Sequence, residues 1–281
     1  VTDRHAVYVI AHDEPRLFAD LVASLRHRQI DVYAHIDARV APEPFAAALA
    51  TDDRVHFVAD ADRVPVRWGG FSVVSAVLSL IETAAATDVP YRRHTLVSGR
   101  DVLLRSVPDL LASWATDTEY VRIDHALRPG APHAHKVTHV HFPDRPVLRR
   151  MSGRIRRRPP THPLYQGSMW WSLTDDAMQI VRSAIADDPS WCADLRFALC
   201  PDEILVPSIL KASPLADRIG QDYSESPAAD HILHAQRFID WRDDDASSPP
   251  ELDDTLLAEA LAGPALFARK VGPGWTWRVP S

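Results

Sequence analysis

The sequence holds only two cysteines, Cys192 and Cys200, so no disulfide framework keeps the chain together. They have no metal-ligand spacing and no adjacent histidine, which leaves core packing as their role. No apolar stretch reaches the length of a bilayer span; the most apolar region, Phe71 to Ala86, is broken by serines and by Glu82. The opening VTDRHAVYVIAHDEP lacks a basic stretch followed by a long apolar run, so no signal peptide is expected and the chain reads as soluble and cytoplasmic. A Walker loop, a Gly-x-Gly-x-x-Gly turn and a Gly-x-Ser-x-Gly elbow are absent too. Nucleoside triphosphate hydrolysis, dinucleotide redox chemistry and serine hydrolysis thereby lose their usual supports. Lysine is scarce: Lys136, Lys211 and Lys270 stand among 31 basic residues, so each one draws attention.

What is present describes a globular protein. With 281 residues, 46% hydrophobic and 25% charged, the chain makes one large domain or two small ones and can bury a full core. The 31 basic and 38 acidic residues leave a net charge of −7, which argues against a general nucleic-acid binder. Ala6–Ala11, Asp31–Asp37 and Val55–Ala59 read as short strands, separated by helices over Arg16–Arg28 and Glu43–Leu49. That alternation predicts an α/β domain with a mixed, mostly parallel central sheet flanked by helices. Ligands of such sheets sit at the carboxyl ends of the strands, which points to His12 and Asp37. A helix over Ser72–Ala85 and strands at His94–Val97, Tyr120–Ile123 and Ser168–Leu173 continue the pattern. Helices over Asp175–Ala186, with Thr174 as N-cap, and from Cys200 to Leu210 follow, then a strand near Phe238–Trp241. Between Arg128 and Pro163 lies a long Pro-, His- and Arg-rich excursion of the kind that forms lids or substrate loops.

Four segments carry chemistry, each with a plainer alternative. In Cys200-Pro201-Asp202-Glu203 two carboxylates stand at a helix start, either complementing the helix dipole or presenting a general base. Ser98-Gly99-Arg100-Asp101 is a strand-end turn with a local ion pair, or part of a site. Asp60-Ala61-Asp62 has the form of an Asp-x-Asp metal motif, although three-residue matches arise by chance in an Asp-rich chain. His133, His135, His139 and His141 could share faces of an extended chain and hold zinc, or simply line a solvated loop. The basic run Arg149–Arg158 is a solvated face or an attractor of an anionic acceptor.

Taken in order, YVIAHDEP, DVYAHID, RVPVRWGGFS, HTLVSGRD, YQGSMWWSLT, CPDE and LFARK resemble the core-2/I-branching β-1,6-N-acetylglucosaminyltransferase family, which includes peptide O-xylosyltransferases. The resemblance runs over residues 6–271 and is that of a bacterial-type member. It implies a GT-A-like fold and an inverting transfer, without an essential metal, from a UDP-sugar to a hydroxyl of a glycan, glycolipid or secondary metabolite. N-acetylglucosamine is the expected sugar, with xylose or glucose as alternatives, and a relative that binds UDP-sugar or glycan without turnover is the other reading. Neither a nucleic-acid partner nor an integral membrane segment is implied. A single domain over 1–281 would divide into a nucleotide-sugar half, about 1–125, and an acceptor and catalytic half, about 126–281.

By the same resemblance Glu203 is the catalytic base. His12, Asp37, Arg63, Trp68, Ser98, Gly99 and Asp101 belong to the nucleotide-sugar side, and Ser168, Trp170 and Trp171 to the acceptor side, beside Gly167. Lys270 is the cation that neutralises the diphosphate in place of a metal. Family members pair it with an arginine about two dozen residues earlier, where this chain has Ser247-Ser248-Pro249-Pro250; Arg237, Arg242 or Arg269 would have to substitute. Acceptor choice is expected in the His133–Arg158 loop.

Overall fold

A computed structural model describes residues 3–49, 54–226, 232–243 and 248–276. The chain begins β1 (His5–Ala11), α1 (Pro15–Ser24), β2 (Ile30–Ile36), α2 (Glu43–Ala48) and β3 (Val55–Phe57). It continues α3 (Phe71–Ala85), β4 (Arg93–Ser98), β5 (Asp101–Leu103), α4 (Val107–Ser113) and β6 (Glu119–Ala126). After a short α5 (His135–Thr138) come β7 (Tyr165–Gly167), β8 (Ser172–Thr174), α6 (Asp175–Asp187), α7 (Ser190–Leu195) and α8 (Leu205–Lys211). The last elements are β9 (Ile219–Asp222), β10 (Leu233–His234), β11 (Arg237–Ile239), α9 (Asp254–Ala262) and β12 (Phe267–Arg269).

The main sheet has the order β3-β2-β1-β4-β8-β6-β7, with β9 added on β6. Strands β1 to β4 are parallel, as their apolar runs require: β2 is buried at every position and β1 at all but Ile10, so helices must cover both faces. On one face pack the apolar sides of α3, α6 and α8, including Val77, Leu80, Met178 and Ile209. On the other lie Phe18 and Leu21 of α1, Phe45 of α2 and Leu110 of α4. Beyond β4 the expectation of a mostly parallel sheet gives way, because β8 pairs antiparallel with both β4 and β6, and β7 antiparallel with β6. Thr174 caps α6 as read from the sequence, accepting a hydrogen bond from the Ala177 amide at 3.3 Å.

Two local readings are corrected. Ser168–Leu173 is not one strand; β7 ends at Gly167, β8 begins at Ser172, and the residues between them turn. Gly167 closes β7 where the backbone meets β6, since any Cβ there would stand 2.1 Å from the Arg122 carbonyl oxygen. Likewise Pro201–Glu203 is a separate 3-10 turn ahead of α8, entered through Cys200 at φ 51°, so Asp202 and Glu203 precede the helix rather than cap it. A second sheet, β10-β11-β12-β5, was not foreseen; in it β5 from early in the chain pairs antiparallel with β12 near its end. No helix among the described residues is long and apolar enough to cross a membrane.

Candidate active site

Glu203 sits at the junction of three segments. The Leu199 amide donates to the Lys136 carbonyl (3.0 Å), and the Cys200 amide to the carbonyl of Gly69 (2.9 Å). Gly69 itself adopts φ +71°, a conformation that suits glycine. This knitting delivers Lys136, from the four-residue α5, to the carboxylate: Lys136 Nζ donates to Glu203 Oε2 at 2.7 Å and to Gln166 Oε1 at 3.1 Å. Gln166 Nε2 donates to the same Glu203 oxygen at 2.9 Å, closing a three-membered ring of polar contacts. Burial opposes the charge on Lys136, but Glu203 outweighs it and holds the ammonium above the ordinary lysine range.

Asp202, next in the chain, lives differently. Burial and the neighbouring Glu203 carboxylate push its carboxyl up to about 7. Its Oδ1 is buried without a hydrogen-bond partner, and the side chain lines a small apolar cavity with Leu96, Trp171 and Leu205. A cavity of about 20 Å³ has no room for a substrate hydroxyl and its sugar. Of the two carboxylates, Glu203 is the one held by polar side chains, Lys136 and Gln166.

Across the sheet ends the charge is positive. Lys270 follows β12, donates to Ser248 Oγ at 2.8 Å, and joins Arg269 through a cis peptide bond. Burial, Arg100 and Arg269 together pull its ammonium below the ordinary lysine range, although Glu251 and Asp13 act the other way. Arg100 comes from the turn after β4 and is fixed by the Val271 carbonyl (2.8 Å) and the Glu251 carboxylate (2.6 Å), with Asp13 at 3.7 Å. Gly99 allows this turn to lie against β1, since a Cβ there would stand 2.8 Å from that of Ala11. Arg269 stands 3.7 Å from Asp101 Oδ1 and has its guanidinium 4.4 Å from the Trp170 ring centre.

The two ends are joined by five residues. Gln166 touches Glu203, whereas Trp170 rests against Arg269 and Arg237. Four Cα steps span at most about 15 Å, so the backbone beneath the Glu203 contact lies within that distance of the backbone beneath the Arg269 contact.

A family model of the Core-2/I-Branching enzyme matches residues 6–256. The chain belongs to the core-2/I-branching enzyme family. By that membership it has an α/β fold related to the GT-A superfamily and is a UDP-sugar-dependent glycosyltransferase. Among solved structures it is similar to mouse xyloside xylosyltransferase 1 in its apo form, at 13% identity and a TM-score of 0.40, over 94% of this chain and 96% of that one. So slight a likeness bears on neither fold detail nor activity. No curated protein matches it in sequence.

Within this family member the residues singled out from sequence fall into distinct places. His12 follows β1, largely exposed, 3.6 Å from Asp13. Asp37 is buried at the end of β2; burial opposes its charge, but Arg39 at 2.7 Å and backbone amides hold the carboxyl below the usual range. Arg63 donates to the Val40 carbonyl (3.1 Å) and pairs with Asp60 (3.0 Å), tying the 3-10 turn Asp60–Asp62 over the strand ends. Trp68 is 68% exposed. Ser98 donates its amide to Asp101 Oδ2 (3.1 Å), and its hydroxyl accepts from the Arg100 amide (3.1 Å). Asp101 is buried against Arg237, whose Nε donates to Oδ2 at 2.8 Å while Nη2 donates to the Leu96 carbonyl at 2.8 Å. Burial pulls the Arg237 guanidinium down to about 10 despite Asp101, so it is a structural cation under Trp170. Arg242 pairs with Asp240 and Glu259 at the surface. Ser168 is buried and holds the turn through the Trp170 amide (3.3 Å). Trp171 packs in the core edge-on to Tyr8, with ring centres 6.1 Å apart. Ser247 lies outside the described residues.

No group of three or more His, Cys, Asp or Glu among the described residues is arranged to hold a metal ion. The histidines instead form a row of rings, with His125–His133 at 5.6 Å, His133–His135 at 6.5 Å and His135–His141 at 6.1 Å. Burial and neighbouring cations lower the pKa of His133, His135 and His141. Sequence reasoning passed over Lys136 and Gln166 as site residues, and held Arg100 only as a member of the Ser98–Asp101 turn. Only the scarcity of lysine marked the first.

Proposed function

We propose that the protein is an inverting, metal-independent glycosyltransferase that moves a sugar, N-acetylglucosamine first among the family's donors, from its UDP ester to a hydroxyl acceptor. The carrying observation is the joined pair of charged ends: Glu203 held by Lys136 and Gln166, and the Lys270, Arg269 and Arg100 cluster at the other end of the Gln166–Trp170 segment.

In this reading Glu203 takes the proton of the acceptor hydroxyl as its oxygen bonds to the anomeric carbon. The bond from that carbon to the β-phosphate oxygen breaks on the opposite face, and UDP leaves with the electron pair. Lys270 and Arg269 meet the growing phosphate charge, and Arg100 takes the place of the arginine missing from the Ser247–Pro250 region. His12, Asp37, Arg63 and Trp68 border the uridine end; Asp101 and Arg237 support Arg269 and Trp170 from beneath. Ser168 and Trp171 shape the acceptor side by fixing the turn that carries Trp170.

Calorimetric titration with UDP and a panel of UDP-sugars in EDTA tests the reading. Micromolar binding that discriminates among sugars, abolished in Lys270→Ala, is the expected result. Binding that appears only on adding Mn²⁺ would overturn the metal-free assignment.

A further inference from the structure

The excursion between β6 and β7 carries a surface that the transfer reaction does not use. Residues Arg145–Arg158 hold seven arginines and no acid in a chain of net charge −7. Arg145, Arg149, Arg150, Arg154, Arg156 and Arg158 are exposed, and each lacks a salt-bridge partner among the described residues. The neighbouring acid, Asp144, is occupied by the Ser72 hydroxyl at 2.5 Å. Charge alone would describe a solvated face, but apolar side chains stand among the cations. Val147 is 92% exposed, Met151 45% and Ile155 41%, and Trp68 is the one other large hydrophobic of the described residues so displayed. Val147 and Met151 lie on the 3-10 helix Pro146–Met151, and Ile155 follows it in the chain. The segment is tied down at its base, where the Val140 amide donates to the Ile155 carbonyl (2.8 Å) and Arg157 to the Asp194 carbonyl (2.6 Å). Exposed aliphatic side chains rimmed by charge have the composition of a protein- or membrane-facing surface.

We propose that Arg145–Arg158 docks the protein on an anionic lipid bilayer, with Val147, Met151 and Ile155 entering the headgroup boundary and the arginines meeting lipid phosphates. Arginine binds phosphate bidentately, and basic segments with an apolar component lie in the interface plane of acidic membranes. A polynucleotide is a poorer match. The segment contains no Phe, Tyr or Trp to stack on bases, and its aliphatic side chains would face a phosphate backbone that offers them nothing. The same excursion carries Lys136, so docking sets the Glu203 end of the site close to the lipid surface.

Flotation of the intact protein with vesicles tests this independently of transfer, because lipid binding needs no turnover. Vesicles of about one third phosphatidylglycerol in phosphatidylcholine should carry the protein upward at physiological salt, and pure phosphatidylcholine should not. The triple variant Val147→Ser, Met151→Ser, Ile155→Ser should lower partitioning about tenfold. Arg149→Glu, Arg150→Glu and Arg154→Glu together should abolish it, while UDP binding and the melting curve of both variants stay as in the parent. No flotation of the parent on anionic vesicles would overturn the proposal. So would flotation indifferent to the aliphatic residues, or a duplex oligonucleotide that displaces the protein from the vesicles at equal phosphate concentration. Loss of UDP binding in the parent would strike the glycosyltransferase reading and leave this one standing.

Discussion

At the Glu203 end of the site one carboxylate faces one ammonium, with the Gln166 amide spanning the two. At the sheet end Lys270, Arg100 and Arg269 crowd together, against Asp13, Glu251 and the buried Asp101. The first arrangement is satisfied within the protein, so an acceptor hydroxyl must compete for an oxygen already engaged. In the second, three cations stand against three carboxylates, and burial with Arg100 and Arg269 holds the Lys270 ammonium below its ordinary range. A reaction that needs a proton acceptor at one end and develops phosphate charge at the other suits that division.

Removing the anion gives the largest effect. Glu203→Gln should lower kcat by about 10²–10⁴ with UDP affinity retained, and turnover near that of the parent would assign the base elsewhere. Next comes the support beneath the cationic end. Arg237→Ala leaves Asp101 buried without its main partner and should cost about 3–5 kcal/mol of stability in denaturant titrations. An unchanged midpoint would mean that Arg269 compensates. Lys270→Ala should lower kcat/KM by about 10² and weaken UDP binding, with no rescue by Mn²⁺. In the parent, UDP affinity should fall as pH rises through the depressed range of Lys270, earlier than an ordinary lysine would dictate.

The smallest effect concerns stability alone. A carboxyl raised from 3.8 to about 7 binds its proton more tightly in the folded state than in the unfolded one. The stability it contributes is therefore full below the unfolded value and lost as pH rises between the two. Asp202→Asn should flatten that slope and raise stability at pH 8 by about 1–2 kcal/mol, read from melts across the range. If Asp202→Asn removed transfer while Glu203→Gln spared it, the roles of the two carboxylates would be exchanged.

The parallel part of the sheet was legible because AVYVIA is a continuous apolar run and DVYAHID a β-rich one, with helical spacing between them. Helices α3 and α6 showed themselves through spacing and, for α6, through the Thr174 cap. The second sheet was not legible. Its strands are two to three residues long, and its joining partners, Asp101 and Arg269, lie far apart in sequence. For the same reason Arg100 read as half of a local ion pair, whereas its carboxylate partner at 2.6 Å is Glu251. Lys136 rides on a four-residue helix in a segment without periodicity, so nothing local could direct it to Glu203. Glu203 and Lys270 were picked out by family motif, and the charged surroundings that give them meaning come from tertiary contacts.

The pairing of β12 with β5 closes more than half of the chain into one loop. Such a contact is entropically late, since the ends must meet before their hydrogen bonds repay the closure. During folding, the Glu203 network can assemble around β6, β7 and α8 while Arg269 and Lys270 are still searching for the strand beside Asp101. The contacts that hold Glu203, to Lys136 and Gln166, thus span shorter stretches of chain than the β5–β12 pairing that places Arg269.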